Sequence, residues 1–240
     1  MLAPAMSERP SRDALAEYTT GARMLDTVGI VGFFGATGLA VTRLVNVEGA
    51  LWEPLTWVLA LVGYIGADFF SGTVHWFFDT WLSVRTPILG SMFVRPFREH
   101  HVDQTAITRH GFVEVNGSNC LATCPVLVAA LLLGTDSAGA RASVAFLLAL
   151  CLGVFATNQF HKWAHLAEPP RAVRWLQDAH LALGAEHHAV HHAAPYDRHY
   201  CITTGWLNRL LDRIGFFRRL ERAITWLTGA KPREEDAALR

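Results

Sequence analysis

Four stretches of this chain are apolar for long enough to cross a bilayer, and few polar positions interrupt them. The first begins near Thr27 and runs to about Val47, close to the roughly 20 residues that a hydrocarbon core requires. The second, 55–78, holds one acid midway, Asp68. The third, 119–134, is short and draws on its flanks to span. The fourth, 143–163, carries His161 near its end. The pattern predicts an all-α fold, an integral membrane bundle of four helices. Downstream, 172–183 and 206–227 mix arginines such as Arg209, Arg213 and Arg222 with Leu, Ile, Phe and Trp. That mixture reads as amphipathic helices lying in the interface of an anionic leaflet. Residues 1–26 form a polar leader, 27–232 one domain and 233–240 a polar tail. A cleaved signal peptide is not expected, because the polar leader is long and no small-x-small site stands before a polar segment.

Charge orients the bundle. Lys+Arg and Asp+Glu are 21 each, so no net field draws the chain to nucleic acid, and no basic stripe with interleaved aromatics appears. The loops joining the first span to the second and the third to the fourth carry little positive charge, Arg43 and Arg141. The leader, the loop 85–109 and the tail from Lys162 carry most of the rest. The positive-inside bias therefore places both termini and the long loop in the cytoplasm; in a bacterium the membrane would be the inner one. The four cysteines show no CxxC pair, and three lie inside apolar segments, so they read as small buried residues.

The chemistry lies in the histidines. Most of the twelve fall in short groups: His75 in HWFFD, His100 and His101 in EHH, His161 and His165 in HKWAH, and His187, His188, His191 and His192 in EHHAVHH. An even number of spans brings all of them to one face, as a histidine-rich cytoplasmic cap. Neutral imidazole is the commonest metal ligand, so the reading is a polynuclear metal site at the membrane surface. His161 and His165 stand i,i+4 and share a helix face; so do His187/His191 and His188/His192 if that stretch is helical. Asp68, His75 and Asp79 form one stripe, and an acid inside a membrane is usually functional, orienting either a ligand or a polar neighbour. Glu99, Asp178 and Glu186 stand where acids that orient ligating imidazoles are expected. A catalytic zinc site needs three protein ligands; this supply exceeds that and points to two metals, with iron suited and zinc still open. Trp76, Phe77, Phe78 and Trp81 are candidates to line a chain tunnel. Arg95, Arg98 and Arg109 are candidates to hold a lipid phosphate.

The strings DFFSGTVHWFFDTW, RPFREHHVDQTAITRHGFVEVNGSNC, NQFHKWAH, HHAVHH and YCITTGWLN resemble the Kua family of lipid desaturases, which includes plasmalogen-forming and plastid fatty-acyl members. The resemblance implies a four-helix membrane desaturase with two irons, using O2 and an electron donor such as cytochrome b5 or a ferredoxin-type protein. By matched position it implies His75, His100, His101, His161, His165, His187, His188, His191 and His192 as ligands, with Asp79 as a further participant. It implies conversion of a 1-O-alkyl chain of an ether phospholipid into a vinyl ether. The chain departs from the family pattern at Gln104, Gly111, Ala179 and Ala185–Glu186, which bears on headgroup and redox partner rather than on the histidines. Three other functions remain at this stage: a fatty-acyl desaturase, a membrane zinc hydrolase and a non-enzymatic redox or light-signalling protein.

Overall fold

The computed structural model describes residues 18–83, 85–87, 89–90 and 94–232, apart from the side chains of residues 98, 99 and 102. Most of the expected leader, with Arg9 and Arg12, and the tail 233–240 lie outside the described residues. Helix α1 spans Thr20–Val45 and α2 spans Pro54–Thr80. Short helices α3 (Arg95–Val102) and α4 (Ala106–Arg109) lead into α5 (Phe112–Leu132) and α6 (Ala138–Ala164). The rest of the chain forms α7 (Arg171–Asp178), α8 (Ala185–Ala189), α9 (Asn208–Arg213) and α10 (Phe216–Thr228). Among the described residues every regular element is a helix, and α1, α2, α5 and α6 are long and apolar enough to cross a membrane.

Three of these spans begin ahead of their apolar runs for local reasons. Thr19 caps α1, its hydroxyl accepting from the Ala22 amide at 3.1 Å, and Ser137 caps α6 by accepting from Ala140 at 3.2 Å. Helix α5 starts at Phe112, so Asn119, expected as its beginning, lies inside it. The amides there are satisfied across the α5–α6 seam. Asn119 Nδ2 donates to Val154 O at 2.8 Å, Asn158 Nδ2 to Val115 O at 2.8 Å, and Asn116 Nδ2 to Gln159 Oε1 at 3.2 Å. Polar side chains in a membrane helix are tolerated when a neighbouring helix supplies partners.

The bundle pairs α2 with α6 and α1 with α5, and α5 joins α6. Small residues let backbones close in: a Cβ on Gly63 would strike the Phe146 carbonyl, and one on Gly117 the Asp26 side chain. The core contains Phe33, Leu127, Val144, Leu148, Cys120 and Cys151. All four cysteines are free thiols. Val28, Val31, Trp57, Leu61 and Leu132 point outward. At the end away from the histidines, Arg43 Nη2 donates to Leu133 O at 2.9 Å and Nη1 to Leu131 O, closing carbonyls that the end of α5 leaves open. Arg141 forks onto Glu53, tying the start of α6 to the start of α2.

At the other end, the segment 198–208 folds back on α2. Trp76, Trp81, Tyr200, Cys201, Leu211 and Phe217 form a second core, with Trp76 stacked on Phe217 at 5.6 Å between ring centroids. Such a pair contributes about 0.5–1.5 kcal/mol beyond area burial. Trp76 and Trp81 are thus spent on holding the tail, and Phe78 packs on Phe97 at 5.5 Å, while Phe77 stays exposed.

Candidate metal centre

Two helices supply each other's complement. One turn apart at the end of α2 stand His75 and Asp79; one turn apart at the end of α6 stand His161 and His165. Between them lie α3, with His100 and His101, and the α8 turn, with His188, His191 and His192. These side chains sort into two groups. His100, His161, His165, His188 and His192 form one, and His75, Asp79, His101 and His191 the other. Within each group, one ligand atom per residue lies within 4.8 Å of all the others. The groups adjoin: the rings of His101 and His192 are 5.3 Å apart, and those of His75 and His161 6.1 Å.

The donor geometry fits metal ions. In the five-imidazole group, His161 Nε2 lies 2.9 Å from Nε2 of both His100 and His188, and His192 Nε2 lies 2.9 Å from that of His188. In the other, Asp79 Oδ2 stands 3.1 Å from His101 Nε2, 3.4 Å from His75 Nε2 and 3.6 Å from His191 Nε2. With metal–nitrogen bonds of about 2.0–2.1 Å, neighbouring donors on an octahedron or tetrahedron stand roughly 2.9–3.4 Å apart. Hydrogen bonding among the imidazoles alone does not account for the convergence. A neutral ring has one N–H, yet the Nε2 atoms of His161 and His188 each face two others, and Nδ1 of His100, His188 and His192 is buried without a hydrogen-bond partner. A cation at the focus satisfies the lone pairs together.

Burial keeps the rings in the ligating, neutral form. Desolvation, then the neighbouring imidazoles, pushes the pKa of His100 and His188 well below the ordinary histidine value, and desolvation pushes His165 down to about 4 and His192 to about 3. Two rings are also oriented from behind. His75 Nδ1 donates to Tyr200 O at 3.1 Å, and His191 Nδ1 donates to Arg198 O at 2.9 Å, so both turn Nε2 toward Asp79. Backbone carbonyls do the work for which Asp178 and Glu186 were candidates; those two acids sit exposed, and the Glu99 side chain lies outside the described ones.

The structure brings eight of the nine sequence-derived histidines, with Asp79, into these groups and leaves out His187. Helix α8 ends at Ala189, so His187 and His191 do not share a helical face. Instead His187 stacks on His199 at 4.4 Å, and its Nε2 accepts from Asn208 Nδ2 at 3.0 Å. His110 and His180 also lie outside both groups, and His180 is exposed. Of the arginines, Arg109 is exposed and bound to Asp103 at 2.6 Å. Arg95 is half-buried, its Nε without a hydrogen-bond partner, and Arg98 lies on α3 with its side chain outside the described ones. Asn208 and the carbonyls of Arg198 and Tyr200 escaped the sequence reading, although YCITTGWLN begins at Tyr200 and ends at Asn208.

Four apolar helices carrying at one end two histidine-rich groups able to hold metal define a membrane protein of the histidine-motif class. The chain belongs to the lipid desaturase family: the family's Lipid desaturase domain matches residues 64–235. It is 47% identical to plasmanylethanolamine desaturase of Myxococcus xanthus over 91% of this chain and 78% of that one. It is 44% identical to plasmanylethanolamine desaturase 1 of Mus musculus, over 94% and 86%. Against the chloroplastic fatty acid desaturase 4 of Arabidopsis thaliana the identity is 33%, over 83% and 62%. No solved structure matches the chain.

Proposed function

We propose that this protein converts the 1-O-alkyl chain of an ether phospholipid to a vinyl ether, plasmanyl to plasmenyl lipid, with one iron in each histidine group. The observation that carries the reading is the pair of adjoining groups, five imidazoles beside three imidazoles and a carboxylate, at the end of a membrane bundle. The higher identity to the two plasmanylethanolamine desaturases than to the plastid desaturase favours the ether substrate over a fatty-acyl ester. Bound iron would supply O2 activation and hydrogen removal from an unactivated C–H bond. The overall change removes two hydrogens from neighbouring carbons; these two hydrogens, together with O2, two electrons and two protons, leave as two waters, and an external donor such as cytochrome b5 or a ferredoxin-type protein provides the electrons.

The chain's own residues do the rest. The buried rings stay neutral and hold their Nε2 lone pairs inward, Asp79 adds the one anionic donor, and the surrounding helices keep bulk water away. The reacting carbons lie beside the glycerol, so the phosphate must rest near the metals; Arg95 on α3 is the arginine whose placement suits that role, with Arg98 a turn along and Arg109 held by Asp103. In this reading the histidine end faces the cytoplasm together with both termini, and in a bacterium the membrane is the inner one. Helices α7, α9 and α10 lie in that interface, with Trp175, Leu210, Trp226 and Leu227 exposed toward lipid.

The test is expression in a host that holds alkyl-ether phospholipid and lacks vinyl ethers, followed by lipid mass spectrometry before and after acid. An acid-labile product that requires O2 and vanishes with an iron chelator is expected. Acid-stable unsaturation with untouched ether chains would assign the acyl reaction instead, and product formed without O2 would remove the desaturase reading.

A further inference from the structure

Outside the donor atoms, the strap 198–208 is held at many points, and the two of its carbonyls that meet candidate ligand imidazoles serve one of the two groups. Asp68, fully buried in α2, spends its carboxylate on the strap's backbone. Its Oδ1 accepts from the amides of Thr204 and Gly205, both at 2.8 Å, and its Oδ2 from that of Leu207 at 3.1 Å. One α2 turn nearer the histidines, Ser71 Oγ accepts from Ile202 N at 3.0 Å. Asn208 closes the loop on itself: Oδ1 accepts from Cys201 N at 2.8 Å, and Nδ2 donates to Cys201 O at 2.9 Å. The contact with α2 is close enough that a Cβ on Gly72 would stand 2.5 Å from Cys201 Sγ and 3.1 Å from its amide nitrogen. The turn itself uses Gly205 at φ +76°, where an L side chain is strained.

What this strap presents to the metal centre is two carbonyls. Tyr200 O receives Nδ1 of His75, and Arg198 O receives Nδ1 of His191. Both rings belong to the group with Asp79 and His101. Three of the five rings in the other group have no such support among the described residues: Nδ1 of His100, His188 and His192 has no hydrogen-bond partner. A carbonyl behind an imidazole fixes its tautomer and its direction, and losing such support typically weakens metal binding by about 10–100-fold.

We propose that Asp68 is a positioning residue for one metal site only: it pins the strap whose carbonyls aim His75 and His191, and so sets the affinity of the group His75, Asp79, His101 and His191 while leaving the five-imidazole group alone. The inference rests on the two-metal reading above. An intramembrane carboxylate that merely held the fold would affect both groups alike, which makes the distinction measurable.

The experiment uses the full chain purified in detergent, loaded with iron, dialysed against a graded chelator and analysed for metal per chain. Wild type is expected to retain metal at both groups. Asp68→Asn, which puts an amide N–H against the Leu207 N–H, is expected to release one metal at about 10–100-fold lower chelator and to keep the other. Adding His188→Ala to Asp68→Asn should strip the remaining metal, and adding His101→Ala should change nothing further. Asn208→Ala, acting on the same strap through Cys201, carries the same expectation if Asp68→Asn is not recovered folded. A wild-type protein that binds fewer than two metals overturns the metal reading and the proposal with it. Two metals in wild type, with both held or both lost in the folded strap variants, overturn the proposal alone.

Discussion

Adjacent histidines with opposite expected fates give the sharpest check on the site. His187 and His188 are neighbours in EHHAVHH, and spacing alone treats both as ligands. In the structure His188 is 1% exposed, with Nε2 at 2.9 Å from those of His161 and His192. His187 faces the other way, toward Asn208 and His199. His188→Ala deletes one of five donors and is expected to release that group's metal and abolish product. His187→Ala deletes the acceptor of one Asn208 N–H, while Asn208 keeps both of its bonds to Cys201. Loss of one such hydrogen bond costs about 1 kcal/mol, which in a chain of this size lowers Tm by roughly 2–4 °C. The assay is threefold on each purified variant: metal per chain, thermal unfolding, and vinyl-ether formation. His187→Ala is expected to keep wild-type metal and most of its turnover. If His187→Ala loses a metal as His188→Ala does, the ring swings into a group, and the sorting of the histidines given above is refuted.

Two further outcomes test the frame that carries the site. Reporter tags placed at 103–105 and after residue 232 should label from the same side of the membrane; opposite sides would break the four-span arrangement. Gly63→Leu sets a side chain against the fixed Phe146 carbonyl between α2 and α6, so folded protein should be recovered at well below wild-type yield, whereas Gly35→Leu, with open space around its Cβ, should express normally.

The apolar runs revealed the four spans, because a membrane helix must write its length in its composition. Their ends were less legible. Thr19 and Ser137 look like loop residues until they are seen as caps, and Asn116 and Asn119 look like headgroup-region residues until α6 supplies their partners. The convergence of the imidazoles was likewise written in residue type, and that of His161 and His165 in their spacing. His187 stands outside both groups, because a helical spacing argument fails once α8 ends at Ala189. The groups that orient the rings were invisible for a different reason: a carbonyl at Tyr200 or Arg198 leaves no mark on the sequence, and its effect depends on where the tail crosses α2.

The division into two groups has its own logic. Helix α2 gives His75 and Asp79 to one group only, and α6 gives His161 and His165 to the other only. These two helices pack directly on each other, so the groups sit side by side, each against one wall. The segments that lie over the seam have to serve both. Consecutive residues of a helix diverge by about 100°, so His100 and His101 on α3 can send one ring to each side, and the turn after α8 does the same with His191 and His192. His100 joins the α6 group and His101 the α2 group; His192 joins the α6 group and His191 the α2 group. An i,i+4 repeat cannot do this, because it keeps both rings on one face. The doubled histidines His100–His101 and His191–His192 therefore mark the seam between the two groups, and His75/Asp79 on α2 and His161/His165 at the end of α6 mark its walls.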